Sequence, residues 1–164
     1  MYKRILVPID GSETAKRGLK EAVILATEQK ATLCLLNVTS TDFPVVVEMA
    51  NAIDFEKLRE GARQYGQGVL DEARALAESL GLEVETLLRD SKGGRVADMI
   101  VEEATNAGCD LIVIGTHGRR GFSRAVLGSD AERVLRQSPV PVLLVRDPAH
   151  TAERHIDREP RSRD

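Results

Sequence analysis

The stretch from Gly115 to Ser129 reads Gly-Thr-His-Gly-Arg-Arg-Gly-Phe-Ser-Arg-Ala-Val-Leu-Gly-Ser, and its residue types and spacing suit the holding of a phosphate. It directly follows the apolar run Asp110-Leu-Ile-Val-Ile and directly precedes a helix-patterned segment. A buried strand would therefore deliver the backbone into a glycine-bearing loop. The helix beyond would present its unpaired N–H groups to whatever sits above the strand ends. Gly115 and Gly118 allow close approach of the backbone to a ligand and permit φ > 0, while Gly128 and Ser129 stand where the first helical N–H groups point outward. Ser129-Asp130-Ala131-Glu132 has the form of a capping box, with Ser129 as the cap. Arg119 and Arg120 lie within the loop and are placed to neutralise phosphate charge, Arg119 more directly because it adjoins Gly118. No Gly-Lys-[Ser/Thr] follows, so this is not a Walker loop. The same residues also fit a strand-to-helix turn in which the glycines only turn the chain and Ser129 only caps the helix.

Asp130 adds a condition. A carboxylate in the first helical turn suits the helix dipole, but it would repel a nearby triphosphate unless a cation such as Mg²⁺ lay between them. His117 has no neighbouring Ser or Asp pattern and reads as a packed or solvated side chain. Neither a nucleophile paired with a base nor an acidic metal dyad accompanies the loop, which argues against a fast enzyme and leaves at most slow hydrolysis. Cys34 and Cys109 lack any Cys-x-x-Cys or histidine ligand pattern and read as buried structural thiols. His150 and His155 fall in a charged segment and read as solvated.

Such a loop has to be positioned by a sheet, and the chain alternates between two hydrophobic periods that supply one. Apolar runs begin at Arg4, Thr32, Leu82, Asp110 and Val140. Helical spacing fills the intervals from Ala15 to Ala26, Phe55 to Leu80, Val96 to Ala104 and Ser129 to Gln137. Gly61, Gly66 and Gly68 weaken the second helical interval locally. The strands are apolar at consecutive positions, as in parallel sheets covered on both faces; the run at Leu82 is more amphipathic and reads as an edge strand. Five strands alternating with four helices predict an α/β fold: one doubly wound, Rossmann-like, five-stranded parallel sheet with helices on both faces. The ligand crevice should lie at the strand carboxyl ends, where Asp10 and Gly115 would face each other.

With 164 residues the chain suits a single domain that buries roughly two-thirds of its unfolded surface. We place that domain at 1–146 and a polar, disordered tail at 147–164. A net charge of −3 with both signs interspersed offers no basic field for nucleic acid. The aromatics Tyr2, Phe43, Phe55, Tyr65 and Phe122 are too scattered to stack single-stranded bases. No run reaches membrane-spanning length and none has the form of a signal peptide, so the expected location is the cytoplasm.

At the level of motifs the sequence resembles the universal stress protein family over Met1 to about Arg146, and within it the ATP-binding subclass. The resemblance is carried by Ile5-Leu-Val-Pro-Ile-Asp10-Gly-Ser, by Asp110-Leu-Ile-Val-Ile-Gly-Thr-His-Gly118-Arg, by the spacing Gly115-x2-Gly118-x9-Gly128-Ser129, and by Pro139-Val-Pro-Val-Leu-Leu-Val. It implies the fold of adenine nucleotide alpha hydrolase-like proteins and a cytoplasmic stress-response module that senses or holds ATP, or ADP or AMP, with Mg²⁺. It further implies that Pro8, Asp10 and the backbone around Val38 hold the adenine and ribose, while Gly115, Gly118, Gly128 and Ser129 hold the phosphates, with Arg119 and Asp130 beside them. Slow ATP hydrolysis and a dimeric interaction protein without nucleotide are the rival readings. The apolar strand at 140–146, placed at the sheet edge, predicts a homodimer through that strand, and the resemblance implies the same arrangement.

Overall fold

The computed structural model describes residues 1–40, 55–116 and 127–146. In chain order the elements are β1 (Arg4–Pro8), α1 (Glu13–Gln29), β2 (Thr32–Thr39), α2 (Phe55–Ser79), β3 (Val84–Asp90), α3 (Val96–Asn106), β4 (Leu111–Gly115), α4 (Ser129–Gln137) and β5 (Val142–Val145). All pairings are parallel and the strand order is β3-β2-β1-β4-β5. The expected doubly wound α/β sheet is therefore the observed one. The winding direction reverses between β1 and β4, which pair through Ile5 with Leu111 and Leu6 with Ile112.

Alternation along the central strands builds two cores. Ile5, Val7, Leu33, Leu35, Leu111 and Val113 pack with residues of α1 and α2, such as Leu19, Ala22 and Leu70, on one face. Leu6, Leu36, Ile112 and Ile114 pack with Ile100 and Ala104 of α3 and Val134 of α4 on the other. Each fully buried aliphatic side chain contributes roughly 1.5–3 kcal/mol by leaving water, so covering both faces secures the sheet.

Local departures from the sequence reading have physical causes. The third strand begins two residues later than its apolar run: Gly81, at φ 79°, ends α2, and Leu82 N–H still donates to Ala77 O at 3.2 Å, so pairing starts only at Val84 opposite Leu33. Helix α2 runs through all three of its glycines. Gly61 and Gly68 face open space, whereas a Cβ on Gly66 would collide with Asn37 Oδ1, so that glycine is a packing requirement. Buried Asn37 in turn donates from Nδ2 to Ile9 O at 2.7 Å, which fixes the chain just before Asp10. The fifth strand is shorter than predicted, leaving Val140, Pro141 and Arg146 outside it.

Cys34 and Cys109, remote in sequence, are both free and buried, and each thiol perturbs the other. The neighbouring Cys34 thiol, together with burial, pushes the Cys109 thiol above the ordinary thiol range.

Candidate functional site

The carboxyl end of β1 turns sharply into α1. Gly11 adopts φ 85°, which only a residue without Cβ takes readily, and Asp10 Oδ1 accepts from Ser12 N–H at 2.9 Å. Ser12 then caps α1 by accepting from Ala15 N–H at 3.2 Å. At the end of β4, Thr116 N–H donates to Val145 O at 2.9 Å and Thr116 O accepts from Gly128 N–H at 2.8 Å. This last bond closes the base of the glycine loop, so that α4 starts beside the strand end from which the loop left.

Gly128 is the N-cap of α4 and no side chain caps it. The expected capping box is therefore corrected: Ser129 is the first helical residue rather than the cap. Gly128 fills that position at little cost, and its own carbonyl accepts the first intrahelical bond, from Glu132 N–H at 2.9 Å. Ser129, Asp130 and Ala131 thus begin the helix with N–H groups that have no partner within it, the arrangement that favours an anion.

A cavity of about 970 Å³ opens above these strand ends. Of the residues singled out from sequence, Asp10, Val38, Ser129 and Asp130 line it together. Gly128 does not line the cavity itself but immediately precedes Ser129, which does. Pro8 ends β1 paired with Leu36 and does not line the cavity, nor does Gly115. The close approach made by Gly115 is internal, because a Cβ there would stand 2.8 Å from both the carbonyl carbon and oxygen of Thr14. Gly115 is also absent from the positive-φ residues, contrary to the sequence reading. Gly118 and Arg119, with His117 and Arg120, lie outside the described residues, as does the tail at 147–164.

Sequence reasoning missed a whole wall. Gly94, Arg95 and Val96 at the start of α3, and Glu132, Arg133 and Arg136 along α4, also line the cavity. By composition the turn Asp90-Ser-Lys-Gly-Gly94 is only a polar connection; the available signal is that it leaves a strand at its carboxyl end, the same edge as the glycine loop. Helix α3 is held there from two sides. Arg89 Nε and Nη2 reach Glu103 at 2.6 and 3.2 Å, joining it to β3, and Arg133 Nε and Nη2 reach Asp98 at 2.6 and 3.3 Å, joining it to α4. The Arg133 guanidinium holds the Asp98 carboxyl below the usual carboxylate range.

Among the described residues no group of acidic, histidine or cysteine side chains is arranged to hold a metal ion, and no helix is long and apolar enough to cross a membrane. The cavity offers open helical N–H groups together with hydroxyl, carboxylate and guanidinium side chains.

The model of the universal stress protein family matches residues 1–146. Universal stress protein MJ0531 of Methanocaldococcus jannaschii is 34% identical over 148 residues, covering 90% of this chain and 84% of that one. Among solved structures, a universal stress protein family member from Burkholderia pseudomallei superposes with a TM-score of 0.71 at 33% identity, covering 88% of this chain and 96% of the other. A universal stress protein solved in complex with cAMP has a TM-score of 0.65 at 25% identity, covering 88% and 97%. Family model, sequence relatives and fold agree, and the chain belongs to the universal stress protein family.

Proposed function

We propose that this protein binds an adenine nucleotide in the cavity above the carboxyl ends of β1, β2 and β4, and acts in the cytoplasm as a stress-response sensor or regulatory module. The observation that carries this reading is the Gly128 to Thr116 bond, which sets the open start of α4 beside the cavity shared by Asp10, Val38, Ser129 and Asp130. The relative solved with cAMP supports an adenine nucleotide as the ligand class. Asp10 and the Val38 backbone would take the adenosine end, and Gly128, Ser129 and the loop residues Gly118 and Arg119 the phosphates. ATP with Mg²⁺ is the form we favour, because Asp130 stands in the first turn of the phosphate-binding helix and a cation would relieve its repulsion.

Adenine nucleotide at about a hundred times its dissociation constant is expected to stabilise the fold by about 2.7 kcal/mol. Calorimetry that detects no binding of ATP, ADP or AMP at millimolar ligand, with Mg²⁺ present, rejects the proposal and favours an interaction protein without nucleotide. Turnover near 10 per second, typical of enzymes, would instead make it a hydrolase. Asp130→Ala tests the metal: it should tighten ATP binding without Mg²⁺ and narrow the gap between metal-free and metal-containing conditions. An unchanged metal dependence would show that the carboxylate does not sense the phosphates.

A further inference from the structure

We propose that Arg95 reads the length of the phosphate chain, gripping the phosphate beyond the first and so selecting nucleoside di- and triphosphates over monophosphates. This inference rests on the nucleotide reading above and assigns a specificity role to a residue outside the glycine loop.

The charges lining the cavity are not equally available. Arg133 is committed to Asp98, Arg136 lies 3.6 Å from Glu132, and Asp10 accepts from Ser12 N–H. Arg95 lines the same cavity, caps no helix with its side chain and has no ion pair or hydrogen bond from its guanidinium among the described residues. An exposed arginine without an ion pair is ordinary on a surface, and Arg95 also adds, after Arg133, to the positive charge that lowers the Asp98 carboxyl. Here its base is fixed: Arg95 immediately precedes α3, and α3 is braced by Arg89–Glu103 on the sheet side and by Arg133–Asp98 on the α4 side. Arg133, another arginine that lines the cavity, is the one used in that brace.

Position then separates short from long phosphate chains. Ser129 begins α4 and Arg95 precedes α3, and packed helices of this kind lie about 8–10 Å apart. A first phosphate held by the N–H groups at the start of α4 is already satisfied there. A second or third phosphate would extend into the cavity that Arg95 also lines, where the guanidinium fork could donate two N–H bonds to phosphate oxygens.

The test is calorimetric titration of the full chain with AMP, ADP and ATP in Mg²⁺, for wild type, Arg95→Ala, Arg95→Lys and Arg136→Ala. Arg95→Ala should weaken ATP and ADP about 10- to 100-fold, the range for one charge-assisted contact, while AMP changes less than about twofold. Arg95→Lys should recover part of the loss, since it keeps the charge without the fork. Arg136→Ala removes an equal charge from the same cavity and should leave the ATP-to-AMP ratio as in wild type. Equal losses for AMP and ATP, no loss for ATP, or a matching shift in Arg136→Ala would each overturn the assignment while leaving the site intact. A wild-type protein that binds none of the three nucleotides would overturn the site itself and this inference with it.

Discussion

Gly115→Ala is expected to lower the free energy of unfolding by about 1–3 kcal/mol, the usual range for forcing an extra carbon into a packed site. The added Cβ would stand 2.8 Å from the Thr14 carbonyl carbon and oxygen and 3.0 Å from Thr14 Cβ. Backbone cannot move aside as a flexible side chain can. Gly115 is held on its other flank by pairing with Val145, and Thr14 belongs to the first turn of a helix whose start Ser12 caps. Relief would require α1 to lift from the sheet, against the packing of Leu19, Ala22 and Ala26 in the core. Since each kcal/mol shifts the melting temperature of a domain of this size by roughly 2–4 °C, the change is readily measured. Gly68→Ala provides the contrast: that position is inside α2 and a Cβ meets nothing within 4 Å, so the same chemical change should stabilise by about 0.5–1 kcal/mol. If the two variants melted at the same temperature, the close approach of Thr14 to Gly115 would not govern this position.

The fold was legible because parallel strands covered on both faces are written as continuous apolar runs. Leu33, Cys34, Leu35 and Leu36 alternate between two cores, yet all are buried, so no face pattern was needed to find the strand. Alternation of strand and helix then fixed the architecture through the handedness of the crossovers. The site was legible only where chain neighbours form it. Ser129 and Asp130 follow a glycine loop, and Asp10 follows a strand. Arg95 and Arg133 come from segments whose proximity exists only once α3 and α4 lie side by side, and nothing local marks them. Gly66 shows the converse: it was read as a weakness in a helix because its reason, Asn37, lies on another element. Ser129 was read as the cap because Ser-x-x-Glu is a sound local signal; Gly128 takes that place because its N–H must reach Thr116 O to close the loop.

The protein is expected to sediment as a dimer at micromolar concentration, and Leu143→Asp should reduce it to a folded monomer. Among the described residues strand β5 pairs with β4 on one side only, and no described strand takes up the row of N–H and C=O groups on its other edge. Natural proteins blunt such an edge with charge, bulges or a partner, but this strand is Val142-Leu-Leu-Val145 and charge comes only at Arg146. Leu143 is 37% exposed, unusual for a leucine in the middle of a strand, while Val145 on the same face is buried. Pro141 stands before the strand, where a missing N–H costs no ladder bond. Antiparallel pairing of β5 with β5 of a second copy would extend the sheet under a twofold axis and cover Leu143 in both chains. An aspartate at 143 would then place two like charges near the axis, where cross-strand neighbours lie within a few ångströms of one another. Because Leu143 already meets solvent within one chain, the substitution should leave the fold intact, and circular dichroism of the monomer should match that of wild type. A wild-type chain that stays at its monomer mass of 17.9 kDa up to high concentration would sink the idea, and the edge would then have to be covered from within the same chain.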